Sequence, residues 1–238
     1  MTRLLISVRN VDEALQAARA GAGFIDIKDP AAGALGGLPP ERIARIARVL
    51  KTLYPRTPLS ATIGDLPAGE AALALERVAA VAASGVDYVK VGVERDPAAL
   101  PLLEQLAGCG APVVPVLLAD HGVEAALVTA ALQLRAFPAL MLDTSDKRGG
   151  SLLQRVTMST LARFVADVRR HGCLAGLAGA LRAADVPLLL GLAPDFVGFR
   201  SAVCAGGRAG PLDPSRVRDL GLRLAARVSG PARVAVGL

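Results

Sequence analysis

Along the chain, short unbroken runs of apolar residues alternate with longer stretches in which apolar residues recur every third or fourth position. The short runs read as strands buried on both faces, because a half-exposed strand alternates apolar with polar. The longer stretches read as amphipathic helices. This pattern predicts strands at 3–8, 24–27, 59–62, 88–91, 113–118, 140–142, 174–176 and 196–198. It predicts helices at 11–20, 39–51, 69–83, 97–108, 123–137, 157–171, 182–192 and 214–227. Punctuation agrees: Gly21 closes the first helix, Pro39-Pro40-Glu41 opens the second, and Pro97 and Gly108 bracket the fourth. Eight strand–helix alternations predict a single-domain (β/α)8 TIM barrel over 1–238, ending in a Gly/Pro-interrupted C-terminal tail at 229–238. A doubly wound open sheet is the competing architecture, but the first strand–helix turn lacks the G-x-G-x-x-G of its dinucleotide-binding form.

The polar exceptions gather where strands end. In Phe24-Ile25-Asp26-Ile27-Lys28-Asp29-Pro30, the two-residue period of a strand turns Asp26 and Lys28 to the same side. Such a pair is either a structural ion pair or an amine nucleophile beside its proton-transfer partner. The lysine count bears on the choice, since the chain holds four lysines against twenty-three arginines. A lysine kept in so arginine-rich a chain suggests a place where an amine must lose its proton, which a guanidinium effectively never does. Catalytic groups of a barrel sit at the C-terminal ends of its strands. Lys28, Lys90 and Lys147, with Asp26 and Asp143, are predicted on that face, whereas Lys51 ends an ordinary helix. The glycine-rich turns after strands seven and eight are candidates to cradle a phosphate through Gly179, Ala180 and Gly198, with Arg200 adding a bidentate contact. The segment 206–210 reads as a flexible loop.

Composition removes several classes of function. No run of about 18 apolar residues reads as a membrane span, and Met1-Thr2-Arg3-Leu4 does not start a signal peptide. Cys109, Cys173 and Cys204 form no CxxC, and His121 and His171 lack ligand spacing, so neither a metal nor another cofactor is expected and a reducing cytoplasm fits. The net charge of +6 admits nucleic acid as a partner, but the arginines are scattered and aromatics for base stacking are scarce. An anionic small substrate accounts for the charge equally well. The oligomeric state is left open, with a homo-oligomer among the options.

Five segments carry a family resemblance: 26–36, 60–65, 88–92, 142–147 and 198–204. Together, and in order across 4–227, they resemble the (5-formylfuran-3-yl)methyl phosphate synthase family, also called 4-(hydroxymethyl)-2-furancarboxaldehyde phosphate synthase. The resemblance implies a barrel of class I aldolase type. It implies a lyase that condenses two molecules of glyceraldehyde 3-phosphate into a phosphorylated furan aldehyde, losing one phosphate and water, for a methanofuran-type carrier. It also implies that Lys28 forms the Schiff base, that Asp26 is its neighbouring acid, and that Lys90, Asp143 and Lys147 complete the site. Ala34 and Ala180 depart from the family pattern, standing where serines are expected. The rival expectations are another phosphosugar barrel enzyme, an aldolase or epimerase, and a non-catalytic nucleic-acid binder.

Overall fold

The computed structural model describes residues 1–146 and 149–226; the predicted tail and Lys147 lie outside the described residues. Eight parallel strands close into a barrel in chain order: β1 (Arg3–Val8), β2 (Phe24–Ile27), β3 (Leu59–Thr62), β4 (Tyr88–Val93), β5 (Val113–Leu118), β6 (Ala139–Asp143), β7 (Leu174–Leu177) and β8 (Phe196–Phe199), with β8 pairing back to β1. The helices α1 (Val11–Arg19), α2 (Pro40–Leu53), α3 (Ala71–Ala83), α4 (Ala99–Gly108), α5 (Ala125–Gln133), α6 (Leu152–Arg155), α7 (Met158–Arg170), α8 (Val186–Leu192) and α9 (Pro214–Ala225) follow their strands. This is the (β/α)8 barrel expected from the pattern.

Local chemistry sets the helix starts. The Asn10, Thr157 and Asp213 side chains each accept a first-turn amide, and prolines occupy the first turns of α2, α8 and α9. Where boundaries differ from expectation, a backbone reason is visible. The helix predicted at 182–192 divides into a 3-10 turn at Ala183–Asp185 and then α8, because Pro187 cannot donate and its ring clashes with a helical carbonyl four residues earlier. The helix predicted at 123–137 is the shorter α5, since Arg135 adopts a left-handed φ of 49° and Pro138 follows. Strands β4 and β6 run further than predicted, and α6 was not predicted at all.

Two apolar layers hold the barrel. The outer one lies between strands and helices and includes Ile6, Ile25, Leu59, Val89, Leu140 and Val197. The inner one fills the barrel with Leu5, Phe24, Val114, Val116, Met141 and Phe196, and adds Leu35 from the β2–α2 loop. Near the N-terminal end of the strands, Phe24 and Phe196 stack with centroids 5.2 Å apart, and the Arg3 guanidinium lies 4.0 Å from the Phe24 ring. Above this floor the interior turns polar.

Candidate active site

Strand pairing builds the polar layer. Ser7, Asp26 and Ser60 are register partners on β1, β2 and β3, so their side chains share one level of the barrel. Asp26 is fully buried. It accepts from Ser60 Oγ at 2.7 Å and Ser7 Oγ at 3.2 Å. Lys90 Nζ lies 3.1 Å and Lys28 Nζ 3.9 Å from its carboxylate oxygens. Burial pushes the Asp26 carboxyl up, but the charges of Lys90 and Lys28 and the Ser60 and Lys90 hydrogen bonds outweigh it, leaving the carboxyl below its ordinary value of 3.8. Asp26 is therefore an anion at neutral pH, and two lysine side chains converge on it.

A pocket opens above this layer at the C-terminal ends of the strands. Asp26, Lys28, Lys90 and Asp143 line it, as do Gly179, Ala180, Gly198 and Arg200. The structure thus brings together every described residue picked out from the sequence as catalytic or phosphate-binding. Asp143, at the end of β6, is buried and accepts the Thr144 amide at 2.7 Å. Lys51, set aside from the sequence, pairs with Asp87 on the outer surface. His121 and His171 are exposed, and Cys204 is buried. Among the described residues no cluster of three potential metal ligands occurs.

Arg200 corrects an expectation. Its guanidinium donates to both Glu13 carboxylate oxygens (2.6 and 3.1 Å), to Ser7 O (3.1 Å), to Gly210 O (2.9 Å) and, through Nε, to Arg208 O (2.8 Å). These are all five donors an arginine has, so the bidentate partner of Arg200 is Glu13 and no donor remains for a phosphate. Arg200 also clasps the 206–210 segment, which is therefore not the flexible loop expected of its glycines.

The β2–α2 loop roofs part of the site. Gly33 O accepts from Arg208 Nη2 at 2.8 Å, Ala34 O from Lys28 Nζ at 3.2 Å, and Asp65 accepts the Leu35 amide at 3.0 Å. Gly33 has φ +117°, and a Cβ there would meet Asp65 Oδ2 at 1.9 Å; at Gly36 it would meet Asp29 O at 2.3 Å. Glycines are required at both points for the loop to fold this closely. Leu35 then dips into the barrel against Gly92. Sequence reasoning passed over Ser7, Glu13, Leu35 and Arg208. Leu35 carried a signal, as a large apolar residue in an Ala/Gly loop, and so did Arg208, flanked by glycine beyond strand eight. Glu13 carried none, because its partner lies 187 residues away.

Fold and site together define a (β/α)8 barrel protein with an amine–carboxylate pocket at the end of the barrel where enzymes of this fold work. Residues 4–221 match the family described as 4-HFC-P synthase, and the chain belongs to that family. It is 33 % identical over 243 residues to the (5-formylfuran-3-yl)methyl phosphate synthase of Methanopyrus kandleri, covering 94 % of this chain and 99 % of that one. It is 34 % identical over 233 residues to the protein of that name from Methanocaldococcus jannaschii, covering 91 % and 97 %. A Methylorubrum extorquens relative is 44 % identical over 217 residues, covering 90 % and 88 %. Among solved structures, a monomeric form of phosphoribosylanthranilate isomerase from Thermotoga maritima superposes with a TM-score of 0.62 at 18 % identity, covering 95 % of this chain and 100 % of that one. That likeness establishes the fold alone.

Proposed function

We propose that this protein makes (5-formylfuran-3-yl)methyl phosphate from two molecules of glyceraldehyde 3-phosphate, through a Schiff base on Lys28. Family membership supports the product. The observation that carries the chemistry is that two of four lysines, in a chain otherwise served by arginine, converge on one buried carboxylate at the barrel mouth. Lys90 makes the closer contact with Asp26 and serves as the fixed counter-charge. Lys28 stands further off and reaches toward Ala34 O at the roof, which supports it as the amine that meets the aldehyde.

The amine adds to the first aldehyde, and loss of water gives the iminium. The iminium draws electrons, so the neighbouring C–H is released to a base, leaving an enamine; expulsion of one phosphate and addition to the second aldehyde both follow. Ring closure, dehydration and hydrolysis from Lys28 then free the furan. Asp26 and Asp143 are the proton-transfer candidates. Lys90 steadies developing oxyanion charge. Lys147 is assigned a part in steadying phosphate and oxyanion charge on the resemblance alone. Gly179, Ala180 and Gly198 keep theirs as a backbone cradle at the cavity wall; Ala180 sits at φ 48°, so the cradle there offers main chain and no hydroxyl. The decisive experiment incubates the protein with glyceraldehyde 3-phosphate and follows ultraviolet absorbance and product mass. A furan aldehyde phosphate, with borohydride trapping substrate on the Lys28 peptide, is the expected result. A different phosphosugar product would favour the aldolase or epimerase reading, and an adduct on Lys90 would exchange the two lysines' roles.

A further inference from the structure

The turn at 205–210 is built to hold one side chain across the mouth. Three consecutive carbonyls are gripped by arginines: Arg208 O by Arg200 Nε at 2.8 Å, Ala209 O by Arg9 Nη1 at 2.7 Å, and Gly210 O by Arg200 Nη2 at 2.9 Å. Space is equally tight, since a Cβ on Gly210 would lie 1.7 Å from Ala205 O. Arg200 and Arg9 are in turn locked on Glu13, at 2.6 and 3.0 Å. From this braced turn the Arg208 side chain extends over the cavity that Lys28, Lys90 and Ala180 line, and its Nη2 reaches Gly33 O.

Gly33 O is a neutral carbonyl that meets one nitrogen of a fork. A phosphate presents charged oxygens at the spacing that satisfies both nitrogens at once, and such charge-assisted pairs are about twice as strong as neutral ones. The exchange from carbonyl to phosphate is therefore favourable and needs only the side chain to turn. Resting on the reading that the substrate is a phosphorylated aldehyde, we infer that Arg208 is the phosphate anchor of this site and the residue that makes it select phosphorylated over plain aldehydes. Arg200 is the positioning residue that fixes the anchor's backbone.

The test needs no turnover. Inorganic phosphate should protect Arg208 of the wild-type protein from phenylglyoxal, read by peptide mass, while exposed Arg48 reacts regardless. Equal modification of Arg208 with and without phosphate overturns the anchor. Because no product is measured, protection in a protein that makes no furan would refute the proposed activity and keep the anchor. In an active protein, Arg208→Gln should raise KM for glyceraldehyde 3-phosphate by about tenfold or more, the scale of a charged hydrogen bond to phosphate. Borohydride trapping of unphosphorylated glyceraldehyde should fall far less than trapping of the phosphate ester. Arg208→Lys should recover part of the loss, since it keeps the charge without the fork. A folded Arg208→Gln protein with unaltered KM for the phosphorylated substrate overturns the inference, and if that variant fails to fold the wild-type protection result decides.

Discussion

Phe24 and Asp26 stand two residues apart on the same face of β2, yet they belong to different environments. Phe24 joins Phe196, Val114 and Leu5 in an apolar floor, and the Arg3 guanidinium covers its ring. Asp26, one layer up, has no solvent contact and is surrounded by two hydroxyls and two amines. The floor gains stability from area removed from water. The layer above gives some back, because burying ions costs several kcal/mol each before their attraction offsets it. All eight strands are parallel, so one end of the barrel can specialise in cohesion and the other in chemistry. Breaking that division is the most informative experiment.

The largest expected effect is at the mouth. Lys28→Arg keeps the positive charge beside Asp26 but removes the amine, so turnover and borohydride trapping should fall to background while cooperative melting persists. A fully active Lys28→Arg protein would make this lysine a structural ion-pair partner. At the floor the signs reverse. Phe196→Ala should destabilise by about 3–5 kcal/mol, from lost transfer energy and the cavity left behind, measured by urea unfolding, with kcat of the folded fraction preserved. A kcat loss to match Lys28→Arg would mean that the two layers are mechanically one.

Acid gives a smaller and graded test. The folded-state pKa of Asp26 lies below 3.8, so its carboxylate contributes stability that is complete above about pH 3.8 and is lost as pH falls through the lower folded value. The wild-type unfolding midpoint should drop in that window, and Asp26→Asn should flatten that part of the curve. Parallel acid limbs would move the dependence elsewhere, to Asp120 for instance. Burial raises the Asp120 carboxyl, but amide hydrogen bonds from Ser145 and Asp146 and the Arg155 charge more than offset that and lower it. Smaller still, Lys51→Ala breaks the half-exposed pair with Asp87 and should cost about 0–1 kcal/mol with activity intact. Chelation by EDTA should leave the rate unchanged, since in the proposed mechanism an iminium does the electron-withdrawing work; a rate lost on chelation and restored by a divalent ion would sink that mechanism.

How much of this the chain disclosed in advance depended on sequence distance. Asp26 and Lys28 were legible because a strand's period alone puts them on one side, and the barrel was legible because each strand–helix unit is local. The level shared by Ser7, Asp26 and Ser60 comes from register between strands, which no single segment contains. Arg200 misled for the same reason: an arginine after strand eight resembles a phosphate ligand until Glu13, at the start of α1, is found holding it. Arg208 carried a signal that was discounted, because glycines that read as slack are here the means of a tight turn.

Strand order divides the mouth by origin. Ser7, Asp26, Lys28, Ser60 and Lys90 all come from the first four strands and the turn after β2, whereas Ala180, Gly198, Arg200 and Arg208 come from β8 and the turns beyond β7 and β8. The two lysines and their shared carboxylate thus come from the first half of the chain, and Arg208 with the glycine-rich turns from the second, where β6 also supplies Asp143. A chimaera that takes its second half from a relative would replace the wall that carries Arg208 while inheriting Asp26, Lys28 and Lys90 intact. Four contacts described at the mouth cross that seam, Arg200 with Glu13 and with Ser7 O, Arg9 with Ala209 O, and Arg208 with Gly33 O, and those are pairs any such recombination has to carry together.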